Sequence, residues 1–122
     1  PDILVLDEPG AGLDPKGKKE ILDLIKSWHE EQGLTTILVT HDMNDVADYA
    51  EDVIVMDKGQ IVIHDQVRAV FGNPQLVDKW RLDLPDARRF QLNVEQKTGV
   101  QLPRICLTID ELANALIEVG LT

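Results

Sequence analysis

Basic residues are scarce in this chain. Twelve Lys and Arg stand against 22 Asp and Glu, for a formal net charge of −10. A nucleic-acid surface draws its affinity from Lys and Arg placed against phosphates, so this balance argues against one. It reads as a solvated acidic exterior. Cysteine is nearly absent. The single Cys106 cannot form an internal disulfide, which fits a reducing compartment. It reads as a small buried apolar residue rather than a nucleophile. No apolar run approaches the ~20 residues of a membrane-spanning helix, and no signal-peptide pattern is present. The three histidines show no His/Cys/Asp spacing of a metal site. Internal repeats and low-complexity segments are also missing.

What the chain does have is a buried-strand pattern ending in acids. At 122 residues and 43% hydrophobic, it is one domain or part of one, with enough apolar mass for a core. Ile3-Leu4-Val5-Leu6 reads as a strand buried on both faces, closed by Asp7-Glu8-Pro9. Such a parallel strand needs neighbours on both edges. A chain that opens at Pro1 almost directly on this strand therefore reads as a piece of a longer protein. Asp14-Pro15 reads as helix N-cap and first turn. Ile21, Leu24, Ile25 and Trp28 recur at helical spacing, and Gly33 stops the helix. A second strand over residues 35–40 follows, completing a βαβ unit. It ends at Thr40-His41-Asp42. Met43, Val46, Ala47 and Ala50 give one face of a short helix capped by Asp42.

Apolar runs at residues 53–56 and 60–63 flank Lys58-Gly59, a tight hairpin. Beyond Asp65 the pattern is helical, over residues 67–71, 74–80 and 86–97, the last with sparse apolar spacing before Gly99. Thr108 and Glu111 form a capping box. Ile109, Leu112, Ala113, Leu116 and Ile117 are the expected buried face of the final helix. The break at residues 82–85 divides the chain into 1–83 and 84–122.

The carboxyl end of a strand in an open α/β sheet is where ligands bind. Of two adjacent acids there, one can hold a metal ion while its neighbour polarises a water. His41 follows the next strand and can reach the same ligand. His29, in a charged helical stretch, and His64, at a hairpin strand, read as plain surface residues. A decoy lies at residues 12–19, where Gly12 to Lys19 fit all but the last position of G-x-x-x-x-G-K-[ST]. Asp14 would repel phosphate, Pro15 has no N–H, and Lys19 replaces the Mg²⁺-binding hydroxyl. It is not a phosphate loop.

Three motifs in this order resemble the C-terminal half of an ABC-type ATPase. Asp7-Glu8 match the Walker B end, Ala11-Gly12-Leu13-Asp14 the D-loop, and His41 the switch histidine. Leu82-Asp83-Leu84-Pro85 and Leu107-Thr108-Ile109-Asp110-Glu111-Leu112 are similar to the tail of the ATPase subunits of energy-coupling factor (ECF) transporters. The resemblance implies an α/β fold: the C-terminal part of a P-loop ATPase domain, with an incomplete parallel sheet, a βαβ unit, a hairpin and a small helical extension.

It also implies ATP as substrate and Mg²⁺ as cofactor, with Asp7 as metal ligand, Glu8 as general base, and His41 on the γ-phosphate and attacking water. Gly12 and Asp14 would face a partner's nucleotide site. The implied partners are a second ATPase subunit, head to tail, and membrane-embedded transmembrane and substrate-binding subunits. The place of action would be the cytoplasmic face of the membrane, driving import of vitamins or transition-metal ions. Two alternatives remain at this point: a soluble ATPase acting on DNA or ribosomes, and a non-catalytic pairing fragment.

The family usually has Thr or Ser where Gly10 stands, so the loop here loses a hydroxyl and gains freedom. Neither a true Walker A sequence nor a Leu-Ser-Gly-Gly-Gln signature occurs. In this family the Walker A strand separates the switch-histidine strand from the next. The first two strands are therefore expected to pair in parallel, and Met56 and Ile61 to lie in an antiparallel hairpin.

Overall fold

The computed structural model describes residues 2–121 and divides into two compact units, the first ending at His41 and the second beginning at Asp42. In the first unit β1 (Ile3–Asp7), α1 (Pro15–Gln32) and β2 (Thr35–Val39) follow one another. β1 and β2 pair in parallel, with Ile3 opposite Thr35 and Asp7 opposite Val39. The expected pairing is therefore found. α1 starts where Asp14 Oδ1 accepts the Gly17 N–H at 2.7 Å, satisfying one of the donors a helix start leaves unpaired. It stops at Gly33 in the left-handed region.

One expectation for this unit changes. β1 is not buried on both faces. Half-buried and exposed residues alternate along it, and Val5 is 60% exposed. β2 alternates in the same way. One helix can cover one face of a two-stranded sheet, so Ile3, Val5, Ile37 and Val39 remain exposed. The apolar residues of α1 are buried unevenly. Leu22 and Ile25 are buried, whereas Leu24 and Trp28 are exposed. A two-stranded sheet is narrow, so it hides only the centre of the helix's apolar arc.

The second unit contains α2 (Met43–Tyr49), β3 (Asp52–Asp57), β4 (Gln60–Gln66), α3 (Val67–Phe71), α4 (Pro74–Trp80), α5 (Asp86–Thr98) and α6 (Ile109–Glu118). β3 and β4 form the expected antiparallel hairpin, with Met56 opposite Ile61 and a bulge at Val55/Met56. Lys58 and Gly59 both take positive φ, 51° and 77°, the backbone that matches strand twist in a two-residue turn. Val46, Ile63, Val67, Val70, Phe71 and Leu107 make one apolar cluster. Ala87, Leu102, Cys106, Leu112 and Ala115 make another.

The sparse apolar spacing of α5 has a physical cause, because its buried face is partly polar. Arg88 and Gln91 are both buried. Arg88 donates Nε–H to the Phe71 carbonyl at 3.1 Å and Nη1–H to Gln91 Oε1 at 2.9 Å. Gln91 in turn accepts the Cys106 N–H at 2.8 Å and donates to the Arg104 carbonyl at 2.7 Å. Buried polar groups persist only when partnered in this way.

The expected face of α6 is likewise shifted. Leu112 and Ala115 are buried, but Ile109, Ala113 and Ile117 are exposed. The helix starts at the expected capping box. Glu111 N–H donates to Thr108 Oγ1 at 3.2 Å, while the Glu111 carboxylate also meets Arg68 of α3. Cys106 is fully buried, and burial pushes its thiol pKa up, with Glu111 adding to the shift.

Candidate functional site

Parallel pairing of β1 with β2 brings the residues that follow both strands to one end of the sheet. Glu8 continues the ladder for one more step, its N–H donating to the Val39 carbonyl at 2.8 Å. It then leaves the strand with φ at 48°, the left-handed region that few non-glycine residues occupy. Backbone strain of this kind is held in place by surrounding contacts and concentrates at working sites. Here the contacts are the Ala11 N–H on the Glu8 carbonyl at 3.0 Å and His41 on the side chain.

His41 grips the Glu8 carboxylate twice. Its backbone N–H donates to Glu8 Oε1 at 3.1 Å, and its ring Nδ1 lies 2.5 Å from the same oxygen. An ionised carboxylate only accepts, so Nδ1 carries the hydrogen in this contact. The His41 side chain is 92% exposed and that of Glu8 34% exposed, so the pair faces solvent at the strand tip. A carboxylate fixed in place and open to water can take a proton from it.

The other residues singled out from the sequence are placed as follows. Asp7 ends β1, exposed, opposite Val39. Gly12 has φ at +81°, and a Cβ there would meet nothing, so its glycine is required by backbone conformation and not by space. Asp14 caps α1 through its side chain. Gly10 is buried, and a Cβ on it would fall 2.6 Å from Lys18 Cγ. The absent side chain thus leaves room for the Lys18 stem to lie over the loop.

His29, although exposed, has Nδ1 2.7 Å from the Leu34 carbonyl. His64 stays an exposed strand residue opposite Ile54. The structure brings Glu8 and His41 into direct contact. The sequence suggested only that both reach one ligand. The parallel register was the signal that could have predicted their contact.

A βαβ unit with adjacent acids at one strand tip and a histidine beyond the next strand is the arrangement expected of part of an ABC-type ATPase domain. Among solved structures, the chain matches cbiO1 from Clostridium perfringens, described as part of the ABC transporter complex cbiONQ. That match has a TM-score of 0.55 and 33% identity, over 82% of this chain and 37% of that one. It also matches a dimeric post-hydrolysis state of the ATP-binding cassette MJ0796 bound to ADP and Pi. There the TM-score is 0.52 and identity 34%, over 56% of this chain and 29% of that one. Among sequences, it is 41% identical over 119 residues to the energy-coupling factor transporter ATP-binding protein EcfA2 of Bacillus cereus.

Over nearly its whole length the chain is similar to part of the ATP-binding subunits of ECF transporters, and its fold is that of part of an ABC-type ATPase domain. That match takes in 98% of this chain and 41% of the relative, so the chain spans about two fifths of the length of the relatives it matches. No protein-family model matches it. Among the described residues no helix is long and apolar enough to cross a membrane.

Proposed function

We propose that this chain supplies the hydrolytic carboxylate and switch of an ATP-hydrolysing subunit that powers an ECF-type importer of vitamins or transition-metal ions. The observation that carries the proposal is the Glu8 carboxylate held at the strand tip by both donors of His41. In this reading Glu8 is the general base. It takes a proton from the water that attacks the γ-phosphate of ATP, a reaction in which positioning and charge stabilisation supply most of the acceleration. His41 fixes the carboxylate through Nδ1–H; in its doubly protonated form Nε2–H would donate to a γ-phosphate oxygen, and in its neutral form Nε2 would accept from the attacking water.

Asp7 is the residue suited to Mg²⁺. It is an exposed carboxylate beside the base, and this ion takes one or two carboxylates along with phosphate oxygens and water. When bound, Mg²⁺ would neutralise charge on the phosphates. Gly12 and Asp14 lie on the loop that would face a second ATPase subunit, packed head to tail. The cassette MJ0796 is itself dimeric, which supports such a partner.

Residues 84–122 form the helical extension in this proposal, and residues 1–83 the end of the nucleotide-binding domain. The subunit would sit peripherally at the cytoplasmic face of the membrane, against transmembrane and substrate-binding subunits. The net charge of −10 supports a role without nucleic acid.

The test is steady-state phosphate release by the complete subunit with its ATPase partner, titrated with Mg²⁺. Wild type should depend on Mg²⁺, and Asp7→Asn should raise the half-saturating concentration severalfold. Turnover independent of Mg²⁺, or an Asp7→Asn titration that overlays wild type, would count against the assignment.

A further inference from the structure

We propose that the aliphatic stem of Lys18 seats the turn that follows Glu8, which makes Lys18 a positioning residue for hydrolysis. The proposal rests on the reading of Glu8 as the base, and every residue it uses lies in the first unit. The chain reverses directly after Glu8. The Ala11 N–H donates to the Glu8 carbonyl at 3.0 Å, and the Leu13 N–H donates to the Gly10 carbonyl at 3.2 Å. Pro9 and Gly10 are the two corners of the first of these turns. Glu8 enters it with φ at 48°, a backbone state that persists only where the surroundings fix it.

Loop corners are ordinarily exposed, yet Gly10 is buried. Its cover is one side chain. The atoms nearest to a Cβ placed on Gly10 are Lys18 Cγ, Cδ and Cβ, at 2.6, 3.3 and 3.4 Å. Lys18 is half-buried, whereas Lys16 and Lys19 beside it on α1 are exposed. Lysine commonly lays its methylenes along a neighbouring surface. Here that surface is the turn. The stem projects from the start of an 18-residue helix that is itself tied to the loop. The Lys18 N–H donates to the Asp14 carbonyl at 2.9 Å, and the Gly17 N–H donates to Asp14 Oδ1 at 2.7 Å.

Gly10, unlike Gly12, does not take a positive φ. Glycine is required here by the stem and not by the backbone. A methyl on residue 10 would strike Lys18 Cγ, whose position χ1 alone sets. Lys18 would then have to leave by a whole rotamer and uncover the turn, or the turn would have to move. Glu8 moves with the turn, and misplacing a catalytic group by about 1 Å costs up to roughly a hundredfold in rate.

A size exchange in the complete subunit with its ATPase partner tests this. Gly10→Ala puts a methyl where the stem lies. Lys18→Ala removes the stem and uncovers the turn. In the double variant the new methyl on residue 10 rests 3.4 Å from the Cβ of residue 18, an ordinary contact. Lys18→Met keeps a stem without the charge. Each alanine single variant should lower kcat about tenfold, leave KM for ATP unchanged, and speed hydrogen exchange at Ala11 and Leu13. The double variant and Lys18→Met should both recover kcat and exchange protection. Alanine single variants that turn over like wild type, a double variant whose losses multiply, or Lys18→Met as slow as Lys18→Ala would overturn the proposal. Glu8→Gln would still be slow in each of those cases, which separates them from failure of the functional reading. An inactive wild-type subunit, or a fully active Glu8→Gln variant, would overturn that reading and this proposal with it.

Discussion

Replacing Glu8 by Gln in the complete subunit is expected to lower kcat by about 10²–10⁴-fold, the range a positioned general base contributes. The substitution keeps the side chain's length and an acceptor oxygen. The His41 N–H can therefore still donate to residue 8, and the loop should keep its shape. What is lost is the ability to take a proton from the attacking water. ATP binding should survive, so the variant should hold ATP uncleaved and stabilise the closed pair of ATPase subunits. Size-exclusion chromatography with ATP and Mg²⁺ should show a dimer that wild type forms only transiently. Wild-type turnover by this variant would mean that the base lies elsewhere.

The second large effect concerns the 122-residue chain made by itself. No sequence in it matches a phosphate loop, so little is present to cradle the β- and γ-phosphates. It is expected to release no phosphate above background, with or without Mg²⁺. It should also associate. Among the described residues each sheet has two strands, and so has open edges. Val5, Ile37 and Val39 are exposed on one sheet and Ile54, Met56 and Ile61 on the other. Contiguous exposed apolar surface of this kind drives association, and the net charge of −10 opposes it only over the Debye length of about 10 Å. Light scattering after gel filtration and a phosphate-release assay together check both expectations. Mg²⁺-dependent release abolished by Glu8→Gln would contradict the first. A monomer with one cooperative thermal transition would contradict the second.

The sequence made some parts of this structure legible because local chemistry decides them. Asp14-Pro15 and Gly33 bound α1, Thr108 with Glu111 starts α6, and Lys58-Gly59 turns the hairpin, each through its own backbone and side-chain groups. The parallel pairing of β1 with β2 followed from the βαβ order. Burial was less legible because it depends on what lies opposite. Ile109 and Ile117 have the spacing of a buried stripe, yet face outward, because the core of Ala87, Leu102 and Cys106 takes Leu112 and Ala115 and covers only that part of the arc. Leu24 and Trp28 are exposed because the sheet beneath α1 is narrow. Arg88 and Gln91 could not be read as buried, since nothing in their residue types announces the carbonyls at Phe71 and Arg104 that partner them.

At the candidate site, the acids and the histidine were visible as residue types at strand ends. The left-handed backbone at Glu8 was not, because no glycine or asparagine marks it. That turn, with the register of β2, is what brings the carboxylate to His41.

In the proposed function Glu8 and His41 act as one unit in hydrolysis. A double-mutant cycle on the complete subunit, with Glu8→Gln, His41→Ala and both together, measures this most directly through single-turnover cleavage of bound ATP. Residues that act as a unit give strongly non-additive losses. The double variant should therefore cleave ATP no more slowly than Glu8→Gln alone. Losses that multiply, or a His41→Ala variant as fast as wild type, would contradict the claim.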